Sequence, residues 1–188
     1  MLNISQYFGV HILVMDFNGE ALNEIQNEIK DAMPKIKELD LSNEWGDTVK
    51  TSFKYNKINR DIETYNLIAL QKNIMAMLNT MVINYNNFVI NDSWFNFSNK
   101  GNFQFDHNHG TEKFSGVYYY QTNGLDGDIK FTTPIVAEKL GLGISRNIQS
   151  VSFTPVVGRM LIFPAYLEHR VEPNKTDNER ISITFNVS

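Results

Sequence analysis

The chain has 188 residues, enough for one domain with a sizeable core, and its 42% hydrophobic and 20% charged content is that of an ordinary folded protein. Its net charge is −4 with no basic block or stripe, which argues against general nucleic-acid binding. Cysteine is absent, so disulfides, thiolate metal sites and a cysteine nucleophile are excluded.

The first six residues carry no basic segment, and the apolar run 10–17 is broken by His11 and Asp16. That run is too short and too polar for a signal or a membrane span, so a cytoplasmic protein without a membrane partner is expected. Residues 8–17 alternate and are rich in Val and Ile, which predicts a strand, with a turn at Asn18-Gly19. Over 20–41, Leu22, Ile25, Ile29, Met33, Ile36 and Leu39 fall at helical spacing, and Pro34 is expected to kink or divide that helix. Residues 43–59 read as polar and irregular, and 61–79 as a second helix through Ile62, Tyr65, Leu67, Ile74 and Leu78.

Near residue 81 the texture changes to short β-branched and aromatic runs between Gly, Pro, Asn and Asp. Strands are predicted at 88–98, 116–121, 128–132, 149–154, 159–163, 169–172 and 180–186. Their number and spacing point to a mainly β sandwich or barrel, with the preceding helices on one sheet face. No linker composition marks the change, so 1–188 reads as a single domain: 1–80 a strand with supporting helices, 81–188 the β core.

The chemistry concentrates in three of the four histidines. His107 and His109, two apart on extended chain, point to one side, and His169 follows a strand that can lie beside them. Three neutral imidazoles suit iron, manganese, nickel or zinc and leave coordination positions open. Arg180, Ser182, Thr184 and Asn186 share one face of the last strand; Ile181, Ile183, Phe185 and Val187 share the other. A guanidinium facing the interior calls for an anion, and a carboxylate gripped in bidentate fashion, with help from Ser182, would satisfy it. His11 stands apart and reads as structural or exposed.

These residues, in the order His107-Asn108-His109, then 115–120 (SGVYYY), 158–165 (GRMLIFPA), 169–173 (HRVEP) and Arg180-Ile181-Ser182, resemble the 2-oxoglutarate- and Fe(II)-dependent oxygenases, in particular a bacterial and phage subgroup. The similarity covers most of the chain. It implies a double-stranded β-helix, or jelly roll, flanked by two or three helices. It implies Fe(II) held by His107, His169 and a ligand at position 109, with 2-oxoglutarate and O2 as cosubstrates. The distal carboxylate would rest on Arg180 and Ser182, with Asn96 and Tyr118 as further cosubstrate contacts. The substrate, a small molecule or a protein side chain, is not specified, and exposed sheet edges leave a homodimer open.

One position departs from the family pattern. The wider family carries Asp or Glu two residues after the first histidine, where this chain has His109. Either His109 completes a three-histidine site, or Asp106 or a water takes its place. Two rivals follow: a cupin-like three-histidine metalloenzyme that does not use 2-oxoglutarate, and a non-catalytic jelly-roll module. Residues 43–59 and 141–143 are the candidate lids.

Overall fold

The computed structural model describes residues 2–7, 9–39, 41–43, 49–53, 60–81, 87–142 and 149–188. Of the two expected lids, residues 44–48 and 54–59 of the first and residue 143 of the second lie outside the described residues.

The chain opens with a hairpin of β1 (Leu2–Tyr7) and β2 (Val10–Asp16), followed by α1 (Gly19–Lys37). Ile25, Ile29, Ala32 and Ile36 form its buried stripe at steps of four, three and four. The helix runs through Pro34 instead of dividing there, and the buried stripe continues past it to Ile36. Two short strands, β3 (Ser42–Asn43) and β4 (Lys50–Thr51), precede the single turn α2 (Asp61–Thr64) and the longer α3 (Ile68–Met81). The sequence suggests one helix over 61–79, but Asn66 adopts φ 54° and ends the first turn. Asparagine tolerates that left-handed conformation better than most residues. The new N-terminus is capped from a distance: the Glu28 carboxylate accepts the Ala69 N–H at 2.8 and 2.9 Å.

The β region contains β5 (Ile90–Ser98), β6 (Gln104–His107), β7 (Phe114–Gln121) and β8 (Ile129–Thr132), then α4 (Val136–Lys139). It closes with β9 (Ser150–Phe153), β10 (Arg159–Pro164), β11 (His169–Val171) and β12 (Arg180–Val187). Among the described residues one sheet has the order β1-β2-β10-β7-β12-β5-β4-β3 and a second has β6-β11-β8-β9. From β5 onward the antiparallel pairing is nested: β5 with β12, β6 with β11, β7 with β10, β8 with β9. A long hairpin is thereby rolled so that successive pairs fall in alternate sheets, and β7·β12 and β8·β11 close each sheet. This is the expected double-stranded β-helix.

Strand alternation gives the molecule two cores. On the outer face of the large sheet, Phe95, Ile183 and Phe185 pack with Ile29, Leu70 and Ile74 of the helices. Between the sheets, Ile12, Val117, Phe131, Leu161 and Phe163 form the other. Each such side chain contributes roughly 1.5–3 kcal/mol when fully buried. Gly116 keeps the first core close: a Cβ there would lie 2.3 Å from the Phe185 ring. At the edge of β10, Arg159 reaches β2, its Nε and Nη2 donating to the Asp16 carboxylate at 2.6 and 2.7 Å.

Candidate active site

His107 ends β6, His169 begins β11, and the two are register partners across the small sheet. His109, just past the strand, is held by its backbone N–H, which donates to the Ala165 carbonyl at 2.9 Å. The ring centroids are 4.3 Å apart for His107 and His169, 5.4 Å for His107 and His109, and 5.2 Å for His109 and His169. One nitrogen from each ring lies within 4.8 Å of the others.

The other nitrogens show how the rings are aimed. Nδ1 of His107 donates to the Phe105 carbonyl at 2.7 Å, and Nδ1 of His169 donates to that of Leu167 at 2.9 Å. A carbonyl accepts only from N–H, so the neutral form of either ring keeps its lone pair on Nε2, free for a metal. The His109 ring has no hydrogen bond among the described residues and is held by packing near Trp94 and Phe163, at 6.0 and 6.5 Å. Burial, assisted by the His107 charge, pushes the His109 pKa down to about 3, and burial holds that of His169 well below the usual range. The His109 and His169 rings are thus in their neutral, ligating form. Asp106 stays outside the cluster, its carboxylate 3.8 Å from Arg170. This donor set fits a first-row divalent ion with coordination positions to spare. His11, by contrast, is exposed on β2.

The histidines stand in the wall of a cavity of about 430 Å³ between the sheets. Arg180, Ser182, Thr184 and Asn186 all line it, as their alternation predicts. Arg180 is only 4% exposed, and among the described residues no carboxylate forms an ion pair with it. Its Nη1 instead donates to the carbonyls of Asp126 and Gly127 at 2.7 and 2.8 Å. Burial lowers its pKa, and the nearby Tyr119 and Asp126 oppose that shift.

Two sequence assignments move. Tyr118 pairs with Ile183, so it faces the helices; its ring lies near Phe17 and its hydroxyl accepts a hydrogen bond from Gln26. It is the wrong tyrosine for a cosubstrate contact, and the neighbouring Tyr119, which pairs with Ser182, is the one that lines the cavity. Burial raises the Tyr119 pKa to about 12, so the phenol remains a donor. Asn96 pairs with Ser182 from the other side and shares the inner face, but it sits behind Thr184: its Nδ2 donates to Thr184 Oγ1 at 2.9 Å. Among the described residues its Oδ1, Ser98 Oγ and Asn186 Oδ1 are buried without partners, an unusually polar floor for a sandwich core. Trp94, Phe53 and Phe105 add an aromatic part to the lining, with Phe105 59% exposed. The sequence reading did not assign Tyr119, Phe53 or the 126–127 carbonyls. For Tyr119, strand pairing with the Arg180 face would have been the necessary signal.

Residues 92–186 match the protein family described as "Putative 2OG-Fe(II) oxygenase". No curated protein matches the chain by sequence. Among solved structures, a prolyl-4-hydroxylase from Pseudomonas putida is similar at 14% identity and TM-score 0.62, over 94% of this chain and 91% of that one. HygX from Streptomyces hygroscopicus, crystallised with nickel and 2-oxoglutarate, is similar at 12% identity and TM-score 0.64, over 94% and 82%. SnoN, a non-heme alpha ketoglutarate dependent epimerase from nogalamycin biosynthesis, is similar at 12% identity and TM-score 0.68, over 94% and 77%. No helix among the described residues is long and apolar enough to cross a membrane. The family match spans half the chain and contains the histidine cluster, the arginine and the jelly-roll strands, and the chain belongs to the 2OG-Fe(II) oxygenases, enzymes that use iron(II), 2-oxoglutarate and O2.

Proposed function

We propose that His107, His109 and His169 hold the iron, that Arg180 and Ser182 grip the distal carboxylate of 2-oxoglutarate, and that the enzyme hydroxylates a small molecule or a protein side chain, releasing succinate and CO2. The observation that carries this reading is the pairing of two features in one cavity: three ligand nitrogens within 4.8 Å of each other and a buried arginine with no carboxylate partner among the described residues. In this reading the N-terminal hairpin and helices support the jelly roll as parts of one domain.

The bound iron and cosubstrate supply the oxidative chemistry; the chain supplies aim, charge and exclusion of water. His107 and His169 are pre-oriented by their carbonyl bonds. Arg180 offers a permanent charge in a site where burial strengthens its attraction for a carboxylate. Ser182 and Tyr119, side by side on adjacent strands, add hydroxyl donors, and Asn96 acts one step back by orienting Thr184. Trp94, Phe53 and Phe105 form the wall where substrate enters, keeping bulk water from the reacting centre.

The test is succinate formation from 2-oxoglutarate under air. It should require added iron(II) and disappear in Arg180→Ala and in His169→Ala. Iron-loaded protein that neither binds nor consumes 2-oxoglutarate, across a broad substrate panel, would overturn the reading in favour of the three-histidine metalloenzyme that His109 brings to mind.

A further inference from the structure

The turn between β7 and β8 contains a carboxylate, that of Asp126, entirely shielded from solvent. A buried carboxylate is costly unless its oxygens are satisfied. Here Oδ1 accepts from the Thr122 hydroxyl at 2.6 Å, and Oδ2 accepts from the Asn123 N–H at 3.0 Å and from Asn178 Nδ2 at 3.2 Å. Asn178 lies two residues before Arg180, so one carboxylate ties the 122–127 turn to the approach of β12. The same turn then presents its backbone: the carbonyls of Asp126 and Gly127 both accept from Arg180 Nη1. Gly127 has φ 104°, and a Cβ there would lie 2.2 Å from the Glu172 carbonyl oxygen and 3.0 Å from Arg180 Nη1. The close approach of turn to arginine therefore requires this residue.

The choice of partner matters. A carboxylate paired directly with Arg180 would compete with an incoming dicarboxylic acid. Two carbonyls fix the guanidinium without cancelling its charge, and the Asp126 carboxylate is occupied by neutral donors. We infer that Asp126 is a positioning residue: through its own turn it aims Arg180 and so sets the affinity for the distal carboxylate of the cosubstrate. The inference rests on the proposed role of Arg180.

The test compares two keto acids with the same chelating end, 2-oxoglutarate and 2-oxobutyrate, the second lacking the distal carboxylate. Binding of each to the anaerobic, metal-loaded protein is measured by calorimetry. Asp126→Asn sets an amide N–H among donors, and it should weaken 2-oxoglutarate by about tenfold while changing 2-oxobutyrate by less than about twofold. Metal affinity should not change. Equal losses for both acids, or unaltered 2-oxoglutarate binding in the folded variant, overturn the inference. Should Asp126→Asn fail to fold, Asn178→Ala and Thr122→Val each remove one of the three bonds and should give a smaller loss confined to 2-oxoglutarate; no such selectivity in either also overturns it. Arg180→Ala separates the two levels: if it does not discriminate between the acids, the arginine's role itself falls, whereas discrimination by Arg180→Ala but not by the turn variants removes Asp126 alone.

Discussion

The two ends of the cavity are built by different means. At the metal end, each well-aimed histidine is fixed by a carbonyl two residues before it, Phe105 for His107 and Leu167 for His169. Those bonds are local, so the strand ends that place the ligands also aim them. At the other end, Arg180 is aimed by carbonyls more than fifty residues earlier in the chain, on a turn that is itself held by Thr122, Asn123 and Asn178. The metal end is thus a set of short-range arrangements brought together by strand pairing. The arginine end exists only when a distant turn docks. Damage to single side chains should therefore be confined at the first and should spread at the second.

The largest expected effect is at the metal end. His107→Ala and His169→Ala should each lower metal affinity by roughly 100-fold or more, read by competition with a chromophoric chelator. His109→Ala should cost about tenfold less than either, because its ring has no orienting hydrogen bond among the described residues. Equal losses at all three positions would show that packing against Trp94 aims His109 as firmly as the carbonyls aim its partners.

Next comes Arg180. Arg180→Ala should weaken 2-oxoglutarate by about 100-fold, and Arg180→Lys should recover little of it, since a point charge cannot reproduce a fork held by two carbonyls. Full recovery by lysine would mean that charge alone, and not aim, determines binding. A smaller contrast separates the adjacent tyrosines: Tyr119→Phe should weaken 2-oxoglutarate by about threefold to tenfold, whereas Tyr118→Phe should leave it unchanged. The reverse order would return the cosubstrate contact to the helix side of β7.

The smallest effect lies outside the cavity and acts on stability. The hydrogen bonds from Arg159 hold the Asp16 carboxyl below its ordinary value. A depressed folded pKa contributes stability above the unfolded value of about 3.9, and that contribution is lost as pH falls through the folded value. Asp16→Asn should therefore flatten the acid limb of the urea-unfolding stability profile below about pH 4 and leave metal and cosubstrate binding untouched. An unchanged acid limb would show that this half-buried pair carries no net stabilisation.

Local pattern and tertiary structure divided the work along these lines. The stripes in 20–41, the β texture after 81, the His-x-His pair and the polar face of 180–186 could all be read from the sequence, because each is a repeat of two or of three to four residues within one element. The break at Asn66 was hidden because the apolar spacing runs straight across it, and only φ 54° reveals the turn. β3, β4 and β6 (SN, KT and QFDH) carry no run of β-branched or aromatic residues to mark them as strands.

The letters alone supply the inventory: a three-imidazole set, an arginine on a polar strand face, and strands enough to bury both. Which side of β7 meets the cavity was decided only when Ser182 paired with Tyr119, because a register shift of one residue exchanges the two faces. The anchoring of Arg180 was likewise settled only in three dimensions. Backbone carbonyls have no side-chain identity to read, so nothing in the letters Asp126-Gly127 announces that they will hold a guanidinium until the chain has folded around them.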